Sequence, residues 1–279
     1  NVINTAASVN LVDAQTKYHE TALEVAADFG HLEAVHALLT EANAKVDIGR
    51  RGPLAVAAGT HSSKSLEIVR ALVEVGDASI NGFLDGDGSW PLYNATNKRL
   101  VPIMQYLLAA KANVNQRDSS GGTPLLLAVR KKTVSSVNLL LKHKADINAQ
   151  NKIGETSLYI ACRMGTASIV RTLLWEGNAA VDTSSGPKQF SPMCVAAWEC
   201  NVGVVKVLTR YSNVSVNHVS KGGNVPLHLP LLSSTWDGHG LGPIKSRVAV
   251  MRTLLDEPTV NTGATNDDGN SALHLACLL

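Results

Sequence analysis

The sequence predicts an all-α array of repeated helix–turn–helix units, and three observations predict it. A unit made of a polar turn, a short helix, a Gly-centred break, a second helix and a small-residue exit recurs along the chain, most clearly at Gly154–Asp182. Self-similarity with a period of a few tens of residues marks a solenoid or array rather than one globular core. The composition agrees: 45% of the 279 residues are hydrophobic but only 4% are aromatic, so Ala, Val, Leu and Ile must build thin, closely stacked layers. Finally, each second segment carries apolar residues at i, i+3 and i+4, which gives a helix one buried face.

Each unit opens with a Thr/Ser-Pro/Ala-Leu step. It occurs at Thr21-Ala22-Leu23, Pro53-Leu54, Pro91-Leu92, Thr123-Pro124-Leu125, Thr156-Ser157-Leu158, Ser191-Pro192-Met193, Pro226-Leu227 and Ser271-Ala272-Leu273. The successive spacings are 31, 38, 33, 33, 35, 34 and 46 residues. A hydroxyl at the cap takes an orphan N–H, and Pro in the first turn lacks only a donor that would have had no partner. The first helix then carries a small pair, Ala26-Ala27, Ala57-Ala58, Ala161-Cys162, Ala196-Ala197 or Ala276-Cys277, which permits close approach.

The second helix follows with stripes such as Val35/Leu38/Leu39, Val69/Leu72/Val73, Met104/Leu107/Leu108 and Ile169/Val170/Leu173/Leu174. A β-branched residue followed by Asn or Asp closes each unit, from Val9-Asn10 and Val46-Asp47 through Val216-Asn217 and Val260-Asn261. There the Asn or Asp is expected to bond its own turn.

A period near 33 with T-P-L-H-x-A-A and G-H-x-x-x-V-x-x-L-L steps resembles the ankyrin repeat. Thr21-Ala22-Leu23, Ala26-Ala27, Gly30-His31 and Leu38-Leu39 carry the match in the first copy. Thr123-Pro124-Leu125, Leu139-Leu140 and Ala145-Asp146-Ile147-Asn148 carry it in the fourth. The resemblance implies an ankyrin-repeat solenoid of stacked helix–turn–helix units joined by β-hairpin fingers. It covers residues 1–279 as one array: repeats at 13–47, 48–81, 82–115, 116–148, 149–182, 183–217 and 218–261, then a partial unit at 262–279. Both ends fall within a unit, so the chain reads as an excerpt of a longer protein.

Four departures stand out. The finger between Asp47 and Leu54 is clipped, and the second repeat's helix pair is widened by Gly59-Thr60-His61-Ser62-Ser63-Lys64. The third finger, Gly82 to Trp90, is one residue longer and unusually apolar. In the seventh repeat Pro230 falls where the first helix should run, at a cost of about 3 kcal/mol for a helix interior. A Gly-rich insert at 233–246 follows it.

Chemistry-bearing motifs are missing. No phosphate-binding Gly loop, nucleophile elbow or H-E-x-x-H helix occurs, and the Asp85-Gly-Asp87-Gly-Ser89 start of a calcium loop is spoiled by Trp90. No catalytic residue, metal or cofactor is therefore expected. His228 and His274 match the His of T-P-L-H, which the resemblance makes a hydrogen-bonding strut between turns. Cys162 and Cys277 read as buried packing residues. Four cysteines without metal spacing fit a reducing compartment, cytoplasmic or nuclear. No apolar run is long enough for a membrane span. Lys+Arg 25 against Asp+Glu 23 gives a net charge of +2, too weak to imply nucleic acid.

The resemblance implies a non-enzymatic protein–protein interaction module or adaptor of a larger intracellular protein, binding a protein segment on its concave face. Carried over by position, the variable sites give Phe29, Lys98, Arg130, Lys131, Arg163, Met164 and Trp198, with Lys152 on the fifth finger. That row has a basic middle beside apolar anchors, which suits an acidic segment. An alternative reading makes the array a structural spacer in a large complex, docked through Phe83, Leu84, Trp90 and Trp236. Another makes it a substrate-selecting domain of a larger enzyme or channel.

Overall fold

The computed structural model describes residues 11–82, 90–186, 189–211, 213–232 and 244–278. Its contacts divide the chain into two compact units, Asn1–Ala145 and Asp146–Leu279.

In the first unit the helix pairs are α1 (Ala22–Asp28) with α2 (Leu32–Thr40), α3 (Pro53–Gly59) with α4 (Ser65–Glu74), α5 (Pro91–Asn97) with α6 (Val101–Ala109), and α7 (Pro124–Arg130) with α8 (Val134–Lys142). First helices stack on first helices and second on second: α1 on α3, α3 on α5, α5 on α7, with α2, α4, α6 and α8 in a parallel layer. The second unit repeats the scheme with α9 (Ser157–Arg163), α10 (Ala167–Trp175), α11 (Pro192–Trp198), α12 (Val202–Thr209), α13 (Leu229–Leu232), α14 (Ile244–Leu255) and α15 (Ala272–Cys277).

Most first helices have seven residues, far below the length at which an isolated helix holds. Their stability comes from stacking. Leu23, Leu54, Leu92, Leu125, Leu158 and Met193 are buried, as are Ile68, Leu72, Met104, Leu107, Leu140, Ile169 and Leu173 of the second helices. Each such side chain contributes about 2 kcal/mol when removed from water. The predicted caps are in place: the hydroxyls of Thr21, Thr123, Thr156, Ser191 and Ser271 accept from the N–H three residues on.

The fingers are tight turns with almost no ladder. At 118–122, 151–155, 220–224 and 266–270 the N–H of the first residue donates to the C=O four residues on, and the N–H three residues on donates back to the first residue's C=O. Two isolated antiparallel bridges, Ser185 with Phe190 and Thr265 with Ser271, are the strand pairing among the described residues.

The Asn and Asp of the β-branched–Asn step do something different from what the sequence led us to expect. Most of their side chains accept from the next repeat and not from their own turn; Asn261 is the exception, accepting from the Gly263 N–H of its own turn at 3.1 Å. Asp47 takes the N–H of Ser79 at 3.1 Å, Asn81 that of Asn113 at 2.7 Å, Asn148 that of Ala180 at 2.9 Å and Asp182 that of Ser215 at 3.2 Å. Asn217 takes the N–H of Asn261 at 2.8 Å and donates to the Thr259 C=O at 2.7 Å. The local turn is capped instead two residues earlier, by Asn113, Asp146 and Ser215. The period of the motif is thus the period of an inter-repeat clamp.

Pro230 also needs correction. Residues 226–228 form a turn, and α13 begins at Leu229, so Pro230 sits in the first turn, where its missing N–H costs nothing. Cys162 is buried as expected, but Cys277 is exposed, because no helix among the described residues packs on the outer side of α15.

Candidate functional site

The residue after the opening Leu points toward the following finger, and its chemistry changes from repeat to repeat. In the seventh repeat it is His228, which is buried. Its Nδ1 accepts from the Val225 N–H at 3.3 Å, leaving Nε2–H to donate to the Ala264 C=O at 3.0 Å. Burial lowers its pKa, opposed in part by the bond to Ala264. This is the strut that the sequence led us to expect. His274 instead caps its own helix, its Nδ1 accepting from the Ser271 N–H at 3.2 Å. In the sixth repeat Cys194 Sγ lies 3.6 Å from the His218 C=O, and burial pushes that thiol's pKa up to about 11.

In the first repeat the position holds Glu24, 1% exposed. Its Oε2 accepts from the N–H groups of Thr21 (3.0 Å) and Arg50 (3.2 Å), and its Oε1 from Arg51 (2.7 Å) and Gly52 (2.8 Å). That carboxylate explains the clipped second finger, since one side chain organises the whole turn. Gly49 permits the approach: its φ is +107°, and a Cβ there would lie 2.1 Å from Oε2.

The far ends of the first helices carry the variable residues. Within the first unit, Phe29 follows α1 and is 71% exposed, stacked on the His31 ring at 6.2 Å. Lys98 and Lys131 cap α5 and α7, and Arg130 ends α7; Lys98 and Arg130 are exposed and Lys131 partly so. A groove of about 220 Å³ opens beside Lys98, lined by Asp28, Arg51, Ala55, Val56, Gly59, Thr60 and Asn94. It lies where the second repeat has Gly59 and Thr60 in place of the Asp28-Phe29 and Asn97-Lys98 of its neighbours. Arg51 braces one wall through Asp28 (3.1 Å) and Glu20 (3.4 Å), and Asn94 Nδ2 donates to the Ala55 C=O at 2.8 Å.

Within the second unit the expected contact residues are partly structural. Arg163 donates through Nη1 to Glu155, which is 1% exposed and also accepts from Asn151 Nδ2 at 2.9 Å. The guanidinium lies 5.8 Å from the Tyr159 ring centre, and burial raises that phenol's pKa. Arg163 therefore neutralises a buried carboxylate; it is not simply a solvated charge. Trp198 is part-buried with its ring 5.7 Å from that of Phe190 on the sixth finger, so it is not the exposed anchor that its position suggested. Met164 is part-exposed and Lys152 exposed.

Trp90 is 4% exposed, capping α5 with its ring 6.1 Å from Tyr93, so it is a core residue and not a loop-tip contact. Phe83, Leu84 and Trp236 lie outside the described residues, as does 233–243 of the insert. Among the described residues no three His, Cys, Asp or Glu side chains converge as a metal site, and no helix is long and apolar enough to cross a membrane.

The comparisons with known proteins agree with this architecture. The family model described as "Ankyrin repeats (3 copies)" matches residues 54–151 and 125–220, and the one described as "Ankyrin repeat" matches 18–51. The chain belongs to the ankyrin-repeat family. Its fold is the ankyrin-repeat solenoid, and the family's repeats are general protein–protein interaction modules that typically act without catalysis. The crystal structure of the ankyrin repeat domain of Bcl-3, a member of the IkappaB family, superposes with a TM-score of 0.64 at 21% identity, over 92% of this chain and 93% of that one. At that identity the likeness concerns the fold alone. No curated protein matches the sequence significantly.

One signal that the sequence reading missed was in plain view. Residues 90–145 hold nine Lys or Arg and one Asp, a net charge of +8 within a chain that totals +2. Averaging over 279 residues hid it. Four of those cations occupy left-handed backbone positions: Arg99 (φ +61°), Lys111 (+66°), Lys132 (+57°) and Lys144 (+62°). At the same positions other ankyrin repeats of this chain use Gly30, Gly165, Asn43 and Asn178. A side chain with a Cβ costs about 1 kcal/mol there relative to glycine.

Proposed function

We propose that this chain is a non-enzymatic interaction module, an adaptor part of a larger intracellular protein, which holds a protein segment on the face formed by its first helices. The observation that carries the reading is in the first unit. Phe29, Lys98, Arg130 and Lys131 sit at the C-terminal ends of the first, third and fourth first helices, exposed or partly so, and Lys98 lines an open groove. An exposed aromatic ring beside cations matches the composition of interfaces. Stacked repeats present these groups on a stiff scaffold, so little ordering entropy is lost on binding. Within the second unit, Met164 is part-exposed and Lys152 exposed, and both are candidate contact residues there, while Arg163 and Trp198 engage Glu155 and Phe190.

The test is affinity capture from extract of the native cell with residues 1–279 as bait, beside a Phe29→Ser/Lys98→Glu/Lys131→Glu variant. The reading expects a partner that the wild type retains and the variant loses at unchanged melting temperature. A partner held equally by both would move the interface off the first-helix face.

A further inference from the structure

We propose that the edge formed by the helix breaks of the third and fourth repeats, with Lys98, Arg99, Arg130, Lys131 and Lys132, is the docking surface for an acidic protein segment. The proposal rests on the protein-binding reading above and adds to it the partner's chemistry and its place.

Three features of the first unit support it. Lys98, Arg99, Arg130 and Lys132 are exposed and Lys131 partly so, on two stacked first helices whose axes lie roughly 8–10 Å apart, as packed helices do. Asp118 is the one acid within 90–145, its carboxylate accepting from the N–H groups of Ser120 (2.8 Å) and Gly122 (2.6 Å), so the block keeps a net charge of +8. Arg99 and Lys132 occupy the break position where glycine is the cheaper residue and where Gly30 and Gly165 stand in other repeats. Cations stand at this edge against the backbone's preference, as Lys111 and Lys144 do at the opposite ends of the helix pairs, and it is the grouping with Lys98, Arg130 and Lys131 that sets this edge apart.

The bland explanation is that Lys and Arg offset the negative ends of α5 and α7. The chain supplies its own control. The equivalent C-caps of α1, α3 and α11 are Phe29, Thr60 and Glu199, and none of the three has a basic residue in its last turn, so these short helices do not need a cation to form. Nor does the block suit single-stranded nucleic acid, which needs exposed rings for its bases. Trp90 is buried, and Tyr93 and Tyr106 are part-buried. The groove beside Lys98, with Thr60 and Asn94 in its walls and Asp28 paired to Arg51 at 3.1 Å, offers a seat for a side chain or backbone amide of a peptide. Carboxylates spaced along an extended or helical segment complement the two cationic rows.

The test is fluorescence anisotropy with the full chain and a labelled peptide of alternating Glu and Ala, roughly twenty residues long, at about 0.1 M salt where charge pairing is not yet screened out. A labelled oligo-dT of equal charge is the competitor. Arg99→Gly/Lys132→Gly relieves two left-handed side chains, so the melting temperature should hold or rise while peptide affinity falls roughly tenfold. Lys111→Gly/Lys144→Gly removes the same charge and the same strain from the opposite ends of the helix pairs, and should leave affinity within about twofold. Equal losses in both variants would reduce the edge to diffuse charge and overturn the proposal. Tighter binding of oligo-dT, or no binding of the peptide, would overturn it too. If a cellular partner is nonetheless captured through the first-helix face, the protein-binding reading stands without this edge.

Discussion

Removing the Glu24 carboxylate should unfasten the first repeat. Glu24 accepts four backbone N–H groups, two of them, from Thr21 and Gly52, in buried surroundings. Bonds to a charged acceptor contribute about 1.5–3 kcal/mol each, but the Arg50 and Arg51 amides lie near enough to the surface for water to replace the carboxylate. The two buried donors cannot be rescued in that way, and each costs about 1–3 kcal/mol when orphaned. Glu24→Ala should therefore cost roughly 3–4 kcal/mol. Glu24→Gln keeps the shape but turns an NH₂ group toward two N–H donors, and should cost about 2–3 kcal/mol. Glu20→Ala, which removes an exposed partner of Arg51, should cost less than about 1 kcal/mol. Urea unfolding followed by circular dichroism measures these differences. Amide exchange at Arg51 and Gly52 locates them, because repeat stacks open locally. A Glu24→Ala loss below about 1 kcal/mol with unchanged exchange at those amides would refute the reasoning.

Other expectations follow from the same contacts. His228 has a folded pKa lowered from 6.5, so the unfolded chain takes up its proton first; its contribution is full above that value and declines as pH falls below it. Stability curves between pH 7.5 and 5.5 should steepen on the acid side in wild type and flatten in His228→Gln (window set by the ordinary histidine value of about 6.5). Arg163→Met should cost about 2–3 kcal/mol by chemical denaturation, because Glu155 is left buried without its cation. Iodoacetamide at mildly alkaline pH should label Cys277 and Cys200 in the native protein. It should spare Cys162 and Cys194, whose thiols are buried with raised pKa values, until denaturant is added; mass spectrometry of the labelled peptides decides this.

Much of the fold was legible because it is local. A cap hydroxyl, a Pro in the first turn and a stripe at i, i+3 and i+4 act within a few residues, and the structure puts helices where those signals stand. The contacts between repeats were less legible. Nothing within the β-branched–Asn step says that the side chain reaches a backbone N–H 32 residues away, as Asn81 does to Asn113. Glu24 looks like an ordinary surface residue of a helix until the clipped finger folds over it. The candidate site suffered similarly: position alone made Arg163 and Trp198 look exposed, whereas Glu155 and Phe190, brought in by neighbouring fingers, engage them. The basic middle of the row was legible at Lys98, Arg130 and Lys131, but the extent of the block over 90–145 was not, because a total charge of +2 says nothing of its distribution.

The most direct test of the interaction account places a photoreactive benzoylphenylalanine at Lys98 on the first-helix edge or at Val75 on the outer end of α4, then irradiates each protein in extract of the native cell. The account predicts a discrete cross-linked partner from position 98, competed by excess unmodified chain, and none from position 75. A partner that cross-links only from position 75 would contradict it.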